Sequence, residues 1–380
     1  MSKLVVVPNV LWLALLAAVL GCAPAAPPAP PAVKDADTKP APPTVKAPEQ
    51  EKATTPETKT EEPKAATEEK GKTGGLKVEV DADLVSYKPV TGISGSIKSV
   101  GSDTMNNLMT KWGEGFKKFY PNVTVGVEGK GSGTAMPALI SGQSNFGPLS
   151  RNPKKDEIAS FEKAFGYKPV VIPTSLDLLA VFVHKDNPIK GLTLPQVDAM
   201  FSATRKLGYN EEIGKWGQVG LTEDWAEQPV SMYGRNAASG TYGFFKEHAL
   251  GNGDFKDAVK VQPGSSGVVQ SIGSEKNAIG YSGIGYSTAD VRAVPLAVKE
   301  GDEYIAAVPE NAYNRSYPLS RALLLAVNKN PNEELDPLRR EFIKYILSKE
   351  GQQDVAADGY LPLPAKTAAK ALEMVGLGGE

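Results

Sequence analysis

Ile97-Lys98-Ser99-Val100-Gly101-Ser102-Asp103-Thr104 is a short β-like run that ends in a small, hydroxyl-bearing turn, and a helical pattern opens directly behind it. In that pattern Leu108, Met109, Trp112, Phe116 and Phe119 recur at helical spacing, so they are expected to form the buried face of a helix and not a site. The succession then repeats. Val123-Thr124-Val125-Gly126-Val127 runs into Gly129-Lys130-Gly131-Ser132-Gly133-Thr134, and a second helical stretch follows at 135–140. Further strand-like runs lie at 178–184, 229–233, 278–282 and 321–328, with a last helix before the tail at 338–348. Strands alternating with helices imply α/β layers with largely parallel strands.

Three of the strand-to-helix turns share one chemistry. They are Gly101-Ser102-Asp103-Thr104, Gly129-Lys130-Gly131-Ser132-Gly133-Thr134 and Arg235-Asn236-Ala237-Ala238-Ser239-Gly240-Thr241. Each sets free backbone N–H groups at a helix start, where the helix dipole also favours negative charge. Serine and threonine add hydroxyl donors, and glycine lets backbone come close. Taken one at a time, these residues are ordinary caps and turns. Three together, one led by an arginine, make the inventory that an oxyanion needs. Two other glycine motifs fail. The nucleotide phosphate loop requires Gly-x-x-x-x-Gly-Lys-Ser/Thr, but Gly129-Lys130 is followed by Gly131. The dinucleotide fingerprint Gly-x-Gly-x-x-Gly is missed because the third glycine, Gly133, comes one position early.

The composition narrows the rest. The chain has 380 residues with a formal net charge of −2, which leaves room for two modest cores and gives no electrostatic reason for a nucleic-acid partner. Two histidines, His184 and His248, and one cysteine, Cys22, make neither a zinc cluster nor a disulfide framework, and no cofactor is expected. Lys3 opens a mostly apolar stretch that closes on Val19-Leu20-Gly21-Cys22, similar to a bacterial lipoprotein signal whose cysteine carries the lipid. The apolar run is short for a membrane-spanning helix, which needs about 20 residues. Residues 23–93 read as a tether and lead-in. Their first part, to about Gly75, is built from Pro, Ala, Lys, Glu and Thr with no aromatic residue, a composition expected to stay disordered. A flexible chain of that length would span roughly 40 Å.

The ordered motifs resemble the phosphate-binding proteins of the phosphate ABC transporter. The likeness starts with Gly101-Ser102-Asp103-Thr104, Trp112, Pro121 and the second glycine turn. It continues through Asn145-Phe146-Gly147-Pro148-Leu149-Ser150-Arg151, Val183-His184-Lys185-Asp186-Asn187-Pro188, Leu192-Thr193-Leu194-Pro195-Gln196 and Trp216-Gly217. It closes with Arg235 and Ser239-Gly240-Thr241, Ala278-Ile279-Gly280-Tyr281, Tyr317-Pro318-Leu319-Ser320-Arg321 and Ser348-Lys349-Glu350-Gly351-Gln352. The resemblance implies a two-lobed periplasmic-binding-protein fold (type II-like), with lobe one at 94–177 plus 322–380 and lobe two at 178–321. The crossings would fall at 176–180 and 319–323 and allow the lobes to close on a ligand.

By the same resemblance, Thr104 and Met105 offer hydroxyl and backbone donors, Ser132 donates from the second turn, and Arg235, Ser239, Gly240 and Thr241 complete a phosphate cradle. Ser150 belongs to this set but departs from the pattern, because many members carry aspartate there to accept the proton of a protonated phosphate. A serine hydroxyl can donate or accept, so Asp103 is the candidate to supply that acceptor. Arg151 either braces the site or pairs with a carboxylate. The implied activity is extracytoplasmic capture of inorganic phosphate by a lipid-anchored, non-enzymatic monomer that serves the permease of an ABC transporter. The alternatives are a binder of sulfate or molybdate, a phosphate sensor or scavenger, and an anchored phosphatase.

Overall fold

The computed structural model describes residues 78–379. The signal segment, Cys22 and the tether up to residue 77 lie outside the described residues.

Eleven strands carry the architecture: β1 (Gly95–Val100), β2 (Val123–Glu128), β3 (Phe146–Leu149), β4 (Val170–His184), β5 (Leu192–Thr193), β6 (Ser231–Arg235), β7 (Lys260–Gln262), β8 (Ala278–Gly283), β9 (Val291–Ala293), β10 (Leu296–Ala297) and β11 (Ser320–Val327). Nine of them join in the order β2-β1-β3-β11-β4-β8-β6-β7, with β9 also on β4, while β5 and β10 pair separately. The outer pairs β1–β2, β1–β3, β6–β7 and β6–β8 are parallel, as the strand–helix alternation predicts. The middle of the order departs from that expectation. β11 runs antiparallel to both β3 and β4, and β4 runs antiparallel to β8 and β9. The reason is that β4 carries the chain from one half of the fold to the other and β11 brings it back.

β4 is the seam. Its first part pairs with β11 from Val170 to Leu178, and its second pairs with β8 from Leu179 to Val183. The buried run from Leu178 to His184 is what a strand covered on both faces requires. Length alone suggests two cores, yet one main cluster of buried side chains runs through both halves, because Leu178–Val183 belongs to each. A small satellite of Ala135, Met136, Leu139, Leu149, Phe161 and Ala326 sits beside it.

The helix Asn106–Phe119 buries Leu108, Met109, Trp112 and Phe116, and Trp112 Nε1 donates to Gly351 O at 2.8 Å. Phe119 departs from the expected buried face: it is the last residue of the helix, its ring meets those of Tyr87 and Tyr345, and it stays exposed. The fold also begins earlier than residue 94. Leu84 and Tyr87 are buried in the main core. Tyr87 OH donates to Glu341 Oε2 at 2.9 Å, so in its 2.6 Å contact with Tyr120 OH it must be the acceptor. Burial and these partners push the Tyr87 phenol far above its usual range, which keeps it a neutral donor. Among the described residues no helix is long and apolar enough to cross a membrane.

Candidate functional site

The three hydroxyl-bearing turns are far apart in sequence and meet in one place. Thr104 Oγ1 lies 2.7 Å from Thr241 Oγ1, which joins the first turn to the third. Gly133 N donates to Ala238 O at 3.0 Å, which joins the second turn to the third. Gly131 N donates to Gly101 O at 2.8 Å, which joins the second to the first.

Local sequence explains each approach. The backbone of Gly131 has φ +99°, a conformation that favours glycine, and a β-carbon there would stand 2.5 Å from Ala238 O. At Gly240 a β-carbon would fall 2.2 Å from Ser132 Oγ and 2.5 Å from Ser150 Oγ. Only glycine lets the third turn reach those two hydroxyls. Ser239 caps the helix Gly240–Ala249, its Oγ accepting from Tyr242 N at 3.3 Å. Gly240 and Thr241, in the helix's first turn, have N–H groups without an intrahelical acceptor by position.

Thr104, Met105, Ser132, Ser150, Arg235, Ser239, Gly240 and Thr241 are all buried around this junction. Ser150 N donates to Ser132 Oγ at 3.0 Å, and the two hydroxyls lie 3.3 Å apart. Met105 N already donates to Ser102 O at 3.2 Å, so it closes the first turn. The Arg235 guanidinium is held by three neighbours: Nη1 donates to Ser265 Oγ at 2.7 Å, Nη2 to Pro263 O at 3.4 Å, and Nη2 lies 3.2 Å from Asp103 Oδ2. Arg235 Nε is buried without a hydrogen-bond partner, as is Ser102 Oγ. Buried donors are rarely left unpaired, because desolvating one costs about 1–3 kcal/mol. Asp103 Oδ2 also accepts from Ser265 N at 2.9 Å, which fixes the carboxylate at the start of the helix Ser265–Ser274.

Arg151 pairs with a carboxylate, its Nη1 and Nη2 lying 2.8 and 2.6 Å from the two Glu157 oxygens. His184 lies beside Asp186, and His248 packs on Phe244, so the two histidines do not share a site. Among the described residues no group of three or more His, Cys, Asp or Glu is placed to hold a metal ion.

Three residues of the junction escape a reading of the sequence. Ser265 supports Arg235, and Arg321 and Asp177 form a second buried ion pair next to it. The one local signal is Asp177 itself, a charged residue inside the apolar run Leu176-Asp177-Leu178.

A PBP superfamily domain model matches residues 52–350. The chain is 55% identical over 298 residues to the phosphate-binding protein PstS of Pseudomonas aeruginosa, an alignment covering 78% of this chain and 92% of that one. It is 29% identical over 279 residues to PstS of Staphylococcus haemolyticus, covering 72% and 83% of the two chains. Among solved structures, a Clostridium perfringens protein assigned as a phosphate ABC transporter substrate-binding protein, with phosphate bound, matches with a TM-score of 0.60 and 27% identity. That match covers 71% of this chain and all of the other. The convergent turns thus sit on a fold shared with these relatives, and the chain belongs to the phosphate-binding-protein family of the PBP superfamily.

Proposed function

We propose that the protein captures inorganic phosphate outside the cytoplasmic membrane, in the cleft between two lobes, and delivers it to an ABC-type uptake transporter. The observation that carries this reading is the meeting of Thr104, Ser132 and Thr241, from three separate turns, with the buried Arg235 tied to the same junction through Asp103. The relatives named as phosphate-binding proteins, and the phosphate-bound Clostridium structure, support phosphate as the oxyanion.

The cradle consists of Thr104 from the first turn, where Met105 N is spent on closing the turn, Ser132 from the second, Ser150 after β3, and Arg235, Ser239, Gly240 and Thr241 from the third. Arg235 supplies the positive charge, and the hydroxyls and helix-start N–H groups supply directed donors. Asp103 takes the acceptor role that the Ser150 hydroxyl fills poorly. Its Oδ2 is occupied by Ser265 and Arg235, while its Oδ1 has no hydrogen-bond partner among the described residues and can take the proton of HPO₄²⁻. Sulfate has no such proton at neutral pH, and a carboxylate facing it would repel it.

Lobe one is 94–177 with 322–380, joined by the packed lead-in that holds Leu84 and Tyr87, lobe two is 178–321, and β4 and β11 act as the two-strand hinge. Cys22 carries a lipid that holds the protein, as a monomer, at a membrane surface, and the protein binds without catalysis. Purification under native conditions, acid release of any retained ion and ion chromatography test the reading. Stoichiometric phosphate is expected. Retention of sulfate or molybdate instead would overturn the phosphate assignment.

A further inference from the structure

We propose that Arg321 is a positioning residue of the anion site, fixing Thr241 and Ser150 so that the cleft turns hydroxyl protons, and not lone pairs, toward the bound oxyanion. The inference rests on the phosphate-binding reading above.

Arg321 lies on β11 directly opposite Asp177 on β4. Its Nε donates to Asp177 Oδ2 at 2.8 Å, and its Nη2 is 2.7 Å from the same oxygen. Asp177 is fixed in turn, since its Oδ1 accepts from Ile284 N at 3.1 Å. From this anchor Arg321 Nη1 donates to Ser150 O at 2.8 Å, and Nη2 donates to Thr241 Oγ1 at 3.1 Å. The guanidinium also faces the Phe244 ring at 5.3 Å. One side chain on a crossing strand thus holds site residues from both halves of the fold.

The proton count follows from donor chemistry. A guanidinium has no acceptor, so Thr241 Oγ1 must accept from it. Thr241 and Thr104 then share one hydrogen bond between their hydroxyls. Whichever of the two donates, one hydroxyl proton of the pair is left over, and when it is that of Thr241, Arg321 keeps it from pointing back toward β11. Ser132 is oriented in the same sense, because its Oγ accepts from Ser150 N, on the residue whose carbonyl Arg321 holds. The charge of Arg321 is matched by Asp177, with both side chains almost fully buried, so its part is to orient and not to be the main counter-charge.

The test is phosphate titration of the full chain, stripped of ligand, with Arg321→Lys in three backgrounds: wild type, Thr241→Val and Thr241→Ser. Lysine keeps a charge opposite Asp177, but one ammonium cannot span Asp177, Ser150 O and Thr241 Oγ1 together. Arg321→Lys should weaken phosphate binding by about tenfold or more in wild type and in Thr241→Ser, chiefly through faster release. In Thr241→Val, where that hydroxyl is gone and only the hold on Ser150 O remains, the further loss should be several-fold smaller than in Thr241→Ser. Equal losses in the Val and Ser backgrounds, or a change under about threefold in wild type, would overturn the proposal. Should Arg321→Lys not fold, Asp177→Asn takes its place, because it leaves the guanidinium but frees it from its anchor, and the same outcomes decide. A wild-type chain that does not bind phosphate would instead overturn the reading on which the proposal rests.

Discussion

Asp103 and Arg235 form an ion pair across the junction of the turns, with Arg235 Nη2 3.2 Å from Asp103 Oδ2 and both groups tied to Ser265. The cation that would grip an oxyanion is therefore held in place by a carboxylate and is not free to fold back. This arrangement bears on affinity and selectivity together.

Arg235→Ala should be the most damaging single change in the cradle. It removes the guanidinium and leaves Asp103 without its ion-pair partner. Losing one partner of a buried charged contact costs about 2–5 kcal/mol, or roughly 30- to 5,000-fold in phosphate affinity. Arg235→Lys should recover only part, because an ammonium cannot fork to Ser265, Asp103 and an anion at once. Calorimetry gives the ratio directly, and a change below about threefold would place the anion elsewhere.

Selectivity should follow Asp103. Asp103→Asn should weaken phosphate binding and narrow its margin over sulfate by about tenfold, since an amide can donate to sulfate where a carboxylate repels it. Ser150→Asp should widen the margin. Competition between the two anions at neutral pH measures both, and an unchanged ratio in Asp103→Asn would make that residue a holder of Arg235 only.

Gly240→Ala should damage binding without touching any charged group. The added methyl would stand 2.2 Å from Ser132 Oγ and 2.5 Å from Ser150 Oγ, pushing the third turn off the other two. Overpacking of about 1–3 kcal/mol corresponds to a loss of roughly 5- to 150-fold in phosphate affinity. Wild-type affinity in Gly240→Ala would mean that the close approach is not needed for binding.

What the sequence reveals and what it hides have physical reasons. The turns are legible because they need special residues at fixed places: glycine where backbone comes close, serine or threonine where a helix starts, arginine where charge is required. Arg151 is read ambiguously because nothing local says that Glu157 will claim it, which the structure settles through a paired contact. Arg321 and Asp177 meet only because β4 and β11 run antiparallel in one register, a pairing that no local pattern encodes. The same antiparallel pairing is invisible in the strand–helix alternation that predicts parallel strands. Tyr87 escapes for a similar reason: its partners Tyr120, Glu341 and Glu350 are all distant in sequence.

A pH effect should arise away from the cradle, at Asp198. Its side chain is buried in the helix Leu194–Phe201, with Oδ2 accepting from Leu207 N at 2.7 Å and Oδ1 without a partner. Burial raises its pKa above the ordinary carboxylate value of 3.8, outweighing the Leu207 N–H. A raised folded-state pKa contributes stability that is present below the unfolded value and lost as pH rises through the folded one. The melting temperature of Asp198→Asn relative to wild type should therefore increase from pH 3 to pH 7, by about 2 °C or more. A relative decrease over that range would contradict the burial effect.

Calorimetric titration of inorganic phosphate into the full, phosphate-stripped chain tests the central claim most directly. One phosphate per chain, with a Kd of about 1 μM or tighter, is the predicted result. No saturable phosphate binding, or tighter binding of sulfate or molybdate under the same conditions, would contradict it.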